Sequence, residues 1–179
     1  MKGEKKTIRS FVAVSIAKVI RKLPVSSFSL HLRKLVNLIV VKGLRERDIN
    51  TREKARKALL KVVFEVSPRF LFLIFKELHD GLTRGYQLHV LLYTVQYVLN
   101  HLNSDEAGEN RLRPGQVTPN MLSIMSTLLL REMFGDLMRD QTRDTKKKHI
   151  KESKAHKAMS IFEVFAQYSN FKTSFLELI

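Results

Sequence analysis

The chain has 179 residues, 44% of them hydrophobic, which is enough for an ordered core and too apolar for a disordered segment. It has no cysteine, which excludes disulfides, thiolate zinc sites and cysteine nucleophiles together. The formal net charge is +15 and it is unevenly spread: residues 1–61 hold 17 Lys+Arg against 4 Asp+Glu, residues 62–179 hold 15 against 13. Such asymmetry points to a polyanionic partner for the first third, a nucleic acid or an acidic protein face.

From Thr7 to Leu23, apolar residues at Ile8, Phe11, Val12, Ile16, Val19, Ile20 and Leu23 have helical spacing, and Pro24 ends the pattern. Ser15 and Lys18 interrupt the apolar run and no small-residue cleavage site follows, so this is not expected to be a signal peptide. A second helix is predicted over Phe28–Val41, with Gly43 as its stop. "NTREKARKALLKVVFEV" is the clearest helix. Asn50 and Glu53 resemble a capping box, and Ala55, Ala58, Leu59, Val62, Val63 and Val66 form one apolar face. Lys54, Lys57 and Lys61 share another face. Ser67 and Pro68 read as the cap and first position of "RFLFLIFKELHDGL", a helix apolar on more than one side. Its run Phe70–Phe75 is the longest unbroken apolar stretch, too short to span a bilayer.

Gly85 separates this helix from the next, Tyr86–His101, with Leu88, Leu91, Leu92, Val95, Leu99 and Leu102 facing inward. A joint so short asks for φ > 0, which glycine supplies without strain. An acidic Gly/Pro loop follows, then a helix from Thr118–Pro119 to about Met138, in which Met121, Met125, Met133, Met138 and Phe134 read as packing residues. "RDQTRDTKKKHIKESK" is polar and expected to be mobile. A last amphipathic stretch carries Ile161, Phe162, Phe165 and Phe171. No strand alternation appears.

The sequence also repeats. Shifted by 43 positions, "AKVIRKLP" from Ala17 falls on "LKVVFEVS" from Leu60, and "LRKL" from Leu32 on "FKEL" from Phe75. A two-helix period of this length lies in the HEAT/armadillo range. The expected fold is therefore all-α: a HEAT/armadillo-like right-handed solenoid of antiparallel hairpins, roughly three to four repeats. The expected organisation is a single segment of hairpins at about 7–43, 48–84 and 86–138, a mobile basic linker at 139–153 and terminal helices at 154–179. The apolar end "SFLELI" is not a polar cap, so the segment is expected to be part of a longer array.

The seven glycines form no phosphate-binding loop, and the six histidines form no i, i+4 pair for a zinc site. His89 and the Glu77/Asp80 pair read as a packing residue and surface charges. No enzyme, metal, cofactor or small-molecule substrate is expected. The residues that stand out are basic: Arg45 and Arg47 in a turn, and Lys54, Lys57 and Lys61 along a helix. They are candidates for phosphate or acidic-partner contact without sequence readout. Gly85 and Tyr86 are the candidate structural joint. "KKKH" at Lys146 is a weak nuclear-import signal.

"KEL-x(5)-RGYQLHVL-x-YTV", from Lys76 to Val95, resembles a motif of the DRIM (down-regulated in metastasis) family. "RDINTREKARKALLKVV" at Arg47, "REMFGDL" at Arg131 and "KESKAHKAMSIFEVFAQY" at Lys151 are similar to family segments in the same order; Ala155, His156 and Phe162 depart from the last. The resemblance implies a giant HEAT-repeat protein of the nucleolar small-subunit processome, the particle built around the U-three snoRNA. The implied role is a scaffold in the nucleus and nucleolus that supports ribosomal RNA processing and small ribosomal subunit biogenesis. Processome proteins, pre-ribosomal RNA and U-three snoRNA would be its partners, with no membrane. A generic HEAT adaptor in transport or chromatin is the alternative. A HEAT-like DNA glycosylase fits less, since the chain has no tryptophan for an aromatic cage.

Overall fold

The structure is a computed structural model describing residues 9–83, 85–134, 152 and 157–170. Its regular elements are helical throughout, apart from an isolated parallel bridge between Val117 and Ser169, as expected for an all-α chain. The chain divides into two compact units, Met1–Gln87 and Leu88–Ile179.

In the first unit, α1 (Ser10–Arg21) and α2 (Val25–Ile39) are joined by the turn at Pro24. Proline has no amide to donate, and its carbonyl receives the Ser27 and Phe28 amides at 2.9 Å each. The predicted stop at Gly43 is not one. The chain continues through a π-helical turn, Val40–Leu44, with Gly43 buried inside it. Gly43 is needed there for closeness: a Cβ at this position would lie 2.5 Å from the Ala55 Cβ.

The helix α3 (Ile49–Val66) is capped by Asp48, not by the predicted Asn50–Glu53 box. One Asp48 carboxylate oxygen accepts the Thr51 amide at 2.8 Å and the Thr51 hydroxyl at 2.6 Å. Asp48 adds a full negative charge at the positive end of the helix, which favours the earlier start. Ser67 then takes φ +84 and makes no side-chain cap; Pro68 opens a 3-10 turn, Pro68–Phe70, ahead of α4 (Leu71–Gly81).

Each helix of this unit packs on the one two places along: α1 on α3 and α2 on α4, with α1 also against α2. The π-helical turn also closes on α4. A Cβ on Gly81 would lie 2.7 Å from a Val40 methyl. The Phe28 and Phe70 rings meet at 4.3 Å, and two ion pairs edge the interface, Arg21–Glu65 at 3.0 Å and Arg33–Glu77 at 3.3 Å. Buried Leu32, Val36, Ile39, Leu59, Val62, Val63, Ile74 and Leu78 form the core. The helical spacing predicted for α1 holds, and its apolar residues are divided: Ala13, Ala17 and Ile20 are buried, whereas Phe11, Val12, Ile16 and Val19 face solvent.

Gly85, at φ +50, precedes α5 (Tyr86–Asn103), and the unit boundary falls in the first turn of that helix. In the second unit, α5 buries the predicted leucines and Val95 together with Val90, Thr94 and Val98. The acidic loop is tied down. It forms a 3-10 turn, Asp105–Asn110, and the Leu112 amide returns to the Leu102 carbonyl at 3.0 Å. The Thr118 hydroxyl caps α6 (Pro119–Phe134), accepting the Met121 amide at 3.3 Å. Met121 and Met125 are buried as expected, but Phe134 is exposed, against the packing role expected of it. The last described helix, α7 (Lys157–Tyr168), packs on α6. Buried Glu132 joins them: its carboxylate meets the Lys157 ammonium at 2.5 Å and accepts the Ala158 amide at 2.7 Å. At the other end of α7 the Gly115 amide binds the Tyr168 carbonyl, and the Tyr168 hydroxyl donates to Asn103 Oδ1. Met138, the linker at 139–153 (Glu152 apart), the "KKKH" run and the end from Phe171 lie outside the described residues.

Three substitution sets test these contacts by chemical denaturation and circular dichroism. Gly43→Val should cost about 1–3 kcal/mol, because the neighbouring Ala55 has no side chain to swing away. Gly85→Val should cost about 1–3 kcal/mol for a different reason, backbone strain at φ > 0 in open space, and Gly85→Asn should be milder. Lys157→Met should cost about 3–5 kcal/mol by stranding the buried Glu132 carboxylate, and adding Glu132→Leu should recover most of the loss.

Asp48 supplies a pH dependence. The Thr51 hydroxyl, then backbone amides and Arg52, hold its carboxyl below the usual carboxylate range. A depressed folded pKa means the stabilisation is present above the unfolded value and is lost as pH falls through the folded one. Asp48→Asn should therefore flatten the acid limb of the stability curve.

Candidate nucleic-acid interface

The Asp48 cap and the buried face of α3 together decide which cations reach water. With Ala55, Ala58, Leu59, Val62, Val63 and Val66 inward, Lys54, Lys57 and Lys61 are left exposed on one side. Their α-carbons span about 10 Å along the helix. Among the described residues none of the three forms an ion pair, so each ammonium is available to a phosphate or a carboxylate. Repeat-equivalent to Lys61 is Lys18, which is exposed on α1.

The turn residues behave differently. Arg45 is exposed, but its Nε donates to the Gly81 carbonyl at 2.8 Å, and its own carbonyl accepts the Tyr86 hydroxyl at 2.7 Å. Arg45 and Tyr86, read separately from sequence as a phosphate contact and a joint, are thus brought together. They tie the turn after α2 to the end of α4. Arg47 is exposed; its carbonyl and that of Glu46 each accept Arg52 Nη1 at 2.8 Å.

Arg52 and Arg56 were not singled out by the sequence reading. They are 4% and 2% exposed, so two of the cations counted toward the basic third are interior. The signal was in the spacing. Arg52 precedes Ala55, and Arg56 precedes Leu59, by three positions, which places both on the buried stripe. An aromatic ladder on α5, Tyr93, Tyr97 and His101, was also missed; the last two rings meet at 4.3 Å.

Glu77 pairs with Arg33, and Asp80 with Lys76 at 3.4 Å and with the adjacent His79, so the two acids do not work together. Among the described residues no group of three His, Asp or Glu side chains could hold a metal. No described helix is long and apolar enough to cross a membrane.

Comparison with known proteins agrees with the motif at Lys76–Val95. A family model described as the U3 small nucleolar RNA-associated protein 20 domain matches residues 1–179. The chain is 28% identical over 165 residues to the U3 small nucleolar RNA-associated protein 20 of Schizosaccharomyces pombe, covering 92% of this chain and 6% of that protein. It is 26% identical over 123 residues to the protein of the same name in Saccharomyces cerevisiae, covering 69% of this chain and 5% of that one. The chain thus spans a small fraction of the length of the relatives it matches. On the match along its whole length, the chain belongs to the U3 small nucleolar RNA-associated protein 20 family, the DRIM family that its central motif resembles.

Proposed function

We propose that the chain is a non-catalytic scaffold segment of the nucleolar small-subunit processome, built as a HEAT-type right-handed solenoid that supports ribosomal RNA processing. The family match over residues 1–179 carries this reading. Two relatives are named for association with U3 small nucleolar RNA. The solenoid is supported by the stacking of α1 on α3 and α2 on α4, the pattern expected when one hairpin covers the open face of the next. The exposed, unpaired Lys54, Lys57 and Lys61 support direct contact with pre-ribosomal RNA or U3 RNA. Such contacts neutralise phosphates and read no sequence. Processome proteins would contact the remaining helix faces, in the nucleus and nucleolus.

Crosslinking of the tagged chain in cells, followed by sequencing of attached RNA, tests the reading. Enrichment of pre-ribosomal RNA or U3 RNA is expected; a featureless spread would sink the RNA-contact half of it. In vitro, replacing Lys54, Lys57 and Lys61 together by Glu should weaken RNA binding without loss of helix content. It should also lower the slope of log affinity against log salt by about 2, the value for three single-strand phosphate contacts. An unchanged slope would assign the lysines to an acidic protein face instead.

A further inference from the structure

The side of α1 and α2 that faces away from α3 and α4 is an open apolar groove of about 570 Å³, lined by Val12, Ile16, Val19, Leu35 and Leu38 with Lys34 at its edge. Val12, Ile16, Val19 and Leu38 are 41%, 38%, 63% and 45% exposed. The 43-residue repeat gives each of them a counterpart in the second hairpin: Ala55, Leu59, Val62 and Gly81. All four counterparts are buried, in the hairpin that α1 and α2 cover. The groove is therefore the same docking face one repeat earlier, left open among the described residues.

The ion pairs say what kind of cover fits. Where α1/α2 docks on α3/α4, Arg21 and Arg33 reach forward to Glu65 and Glu77. One repeat earlier, the counterparts of those glutamates are Lys22 and Lys34, both exposed. The polarity of the rim is reversed. A second copy of the first hairpin would bring Arg21 and Arg33 against two lysines. It would also press Val40 onto Leu38, where Gly81 leaves room for it, and Gly43 onto Val12, where Ala55 already allows no Cβ. A second copy in this register fails on charge and on shape.

We propose that the α1/α2 groove docks a two-helix hairpin of different sequence. That hairpin has an apolar face, small residues at its counterparts of Val40 and Gly43, and carboxylates where Arg21 and Arg33 stand. The inference rests on the stacked-hairpin reading above. The apolar contact supplies affinity, while the exposed rim charges select the partner, since surface ion pairs contribute little binding but penalise a like-charged competitor.

The probe is a fluorophore-labelled synthetic peptide of residues 10–42 carrying Arg21→Glu, Arg33→Glu and Val40→Ala, titrated by anisotropy against the 179-residue chain at low salt. Its control carries Val40→Ala alone. The acidic peptide should bind roughly tenfold more tightly than the control, and added salt should shrink the difference. Val19→Asp in the chain, at an exposed position, should abolish binding with the circular dichroism spectrum unchanged. Lys22→Glu with Lys34→Glu should reverse the preference. Equal affinity for both peptides, or binding of neither, overturns the proposal. So does a dimer in sedimentation that Val19→Asp dissolves, because the occupant is then a second copy. RNA crosslinking reports on the scaffold reading by itself: absent peptide binding with pre-ribosomal RNA still crosslinked defeats the groove alone.

Discussion

Two close approaches hold the first unit in register: Gly43 over Ala55, and Gly81 over Val40. In each, a glycine lets backbone meet side chain at a distance that a Cβ would forbid. The first joins the turn after α2 to α3, and the second joins that turn to α4. A single π-helical turn is thereby fixed to both helices of the next hairpin. With the turn fixed, α1 meets α3 and α2 meets α4 along their lengths. The guanidinium of Arg45, in the residue just past the turn, then reaches the Gly81 carbonyl, and Tyr86 closes on Arg45 in turn. The exposure of Lys54, Lys57 and Lys61 follows from the same contact, because Ala55 against Gly43 sets the rotation of α3 about its axis.

Periodicity made the helices legible. The i, i+3, i+4 recurrence from Ala55 to Val66 reports a burial requirement that any helix with one covered side must meet, and those six positions are buried. The same rule found α1 but not its surroundings. Phe11, Val12, Ile16 and Val19 recur as regularly, yet they face solvent in this structure. Spacing states that a face wants covering; it does not state what covers it. Gly43 was misread for a related reason. A glycine at the end of a helical pattern usually frees the backbone, whereas here it removes a side chain from a contact partner twelve residues away. That partner cannot be seen until the chain is folded.

Caps and charges were hidden by competition between near-equal local solutions. Asn50–Glu53 and Asp48–Thr51 both offer an acceptor three residues before a helical amide. The carboxylate has the advantage of a full charge at the positive end of α3. In the second unit the ion pair of Glu132 with Lys157 was illegible, since its partners lie far apart in sequence. Only the packing of α6 on α7 gives them a shared interior.

The division of cations within α3 has a chemical cause. Arg52 and Arg56 go inside while Lys54, Lys57 and Lys61 stay out. A guanidinium presents several donors in a fixed plane, so one group can satisfy two carbonyls at once, as Arg52 does with Glu46 and Arg47. It is also more weakly hydrated than an ammonium, which lowers the cost of burying it. Lysine has a compact, strongly hydrated charge on a flexible stem and is better left in water, where it can follow a phosphate backbone of changing shape. Net charge alone therefore overstates what a basic segment offers to RNA. The number that matters is the cations left after the fold has taken its own share. In α3 those are the three lysines on one side, and their spacing is set by the apolar residues between them.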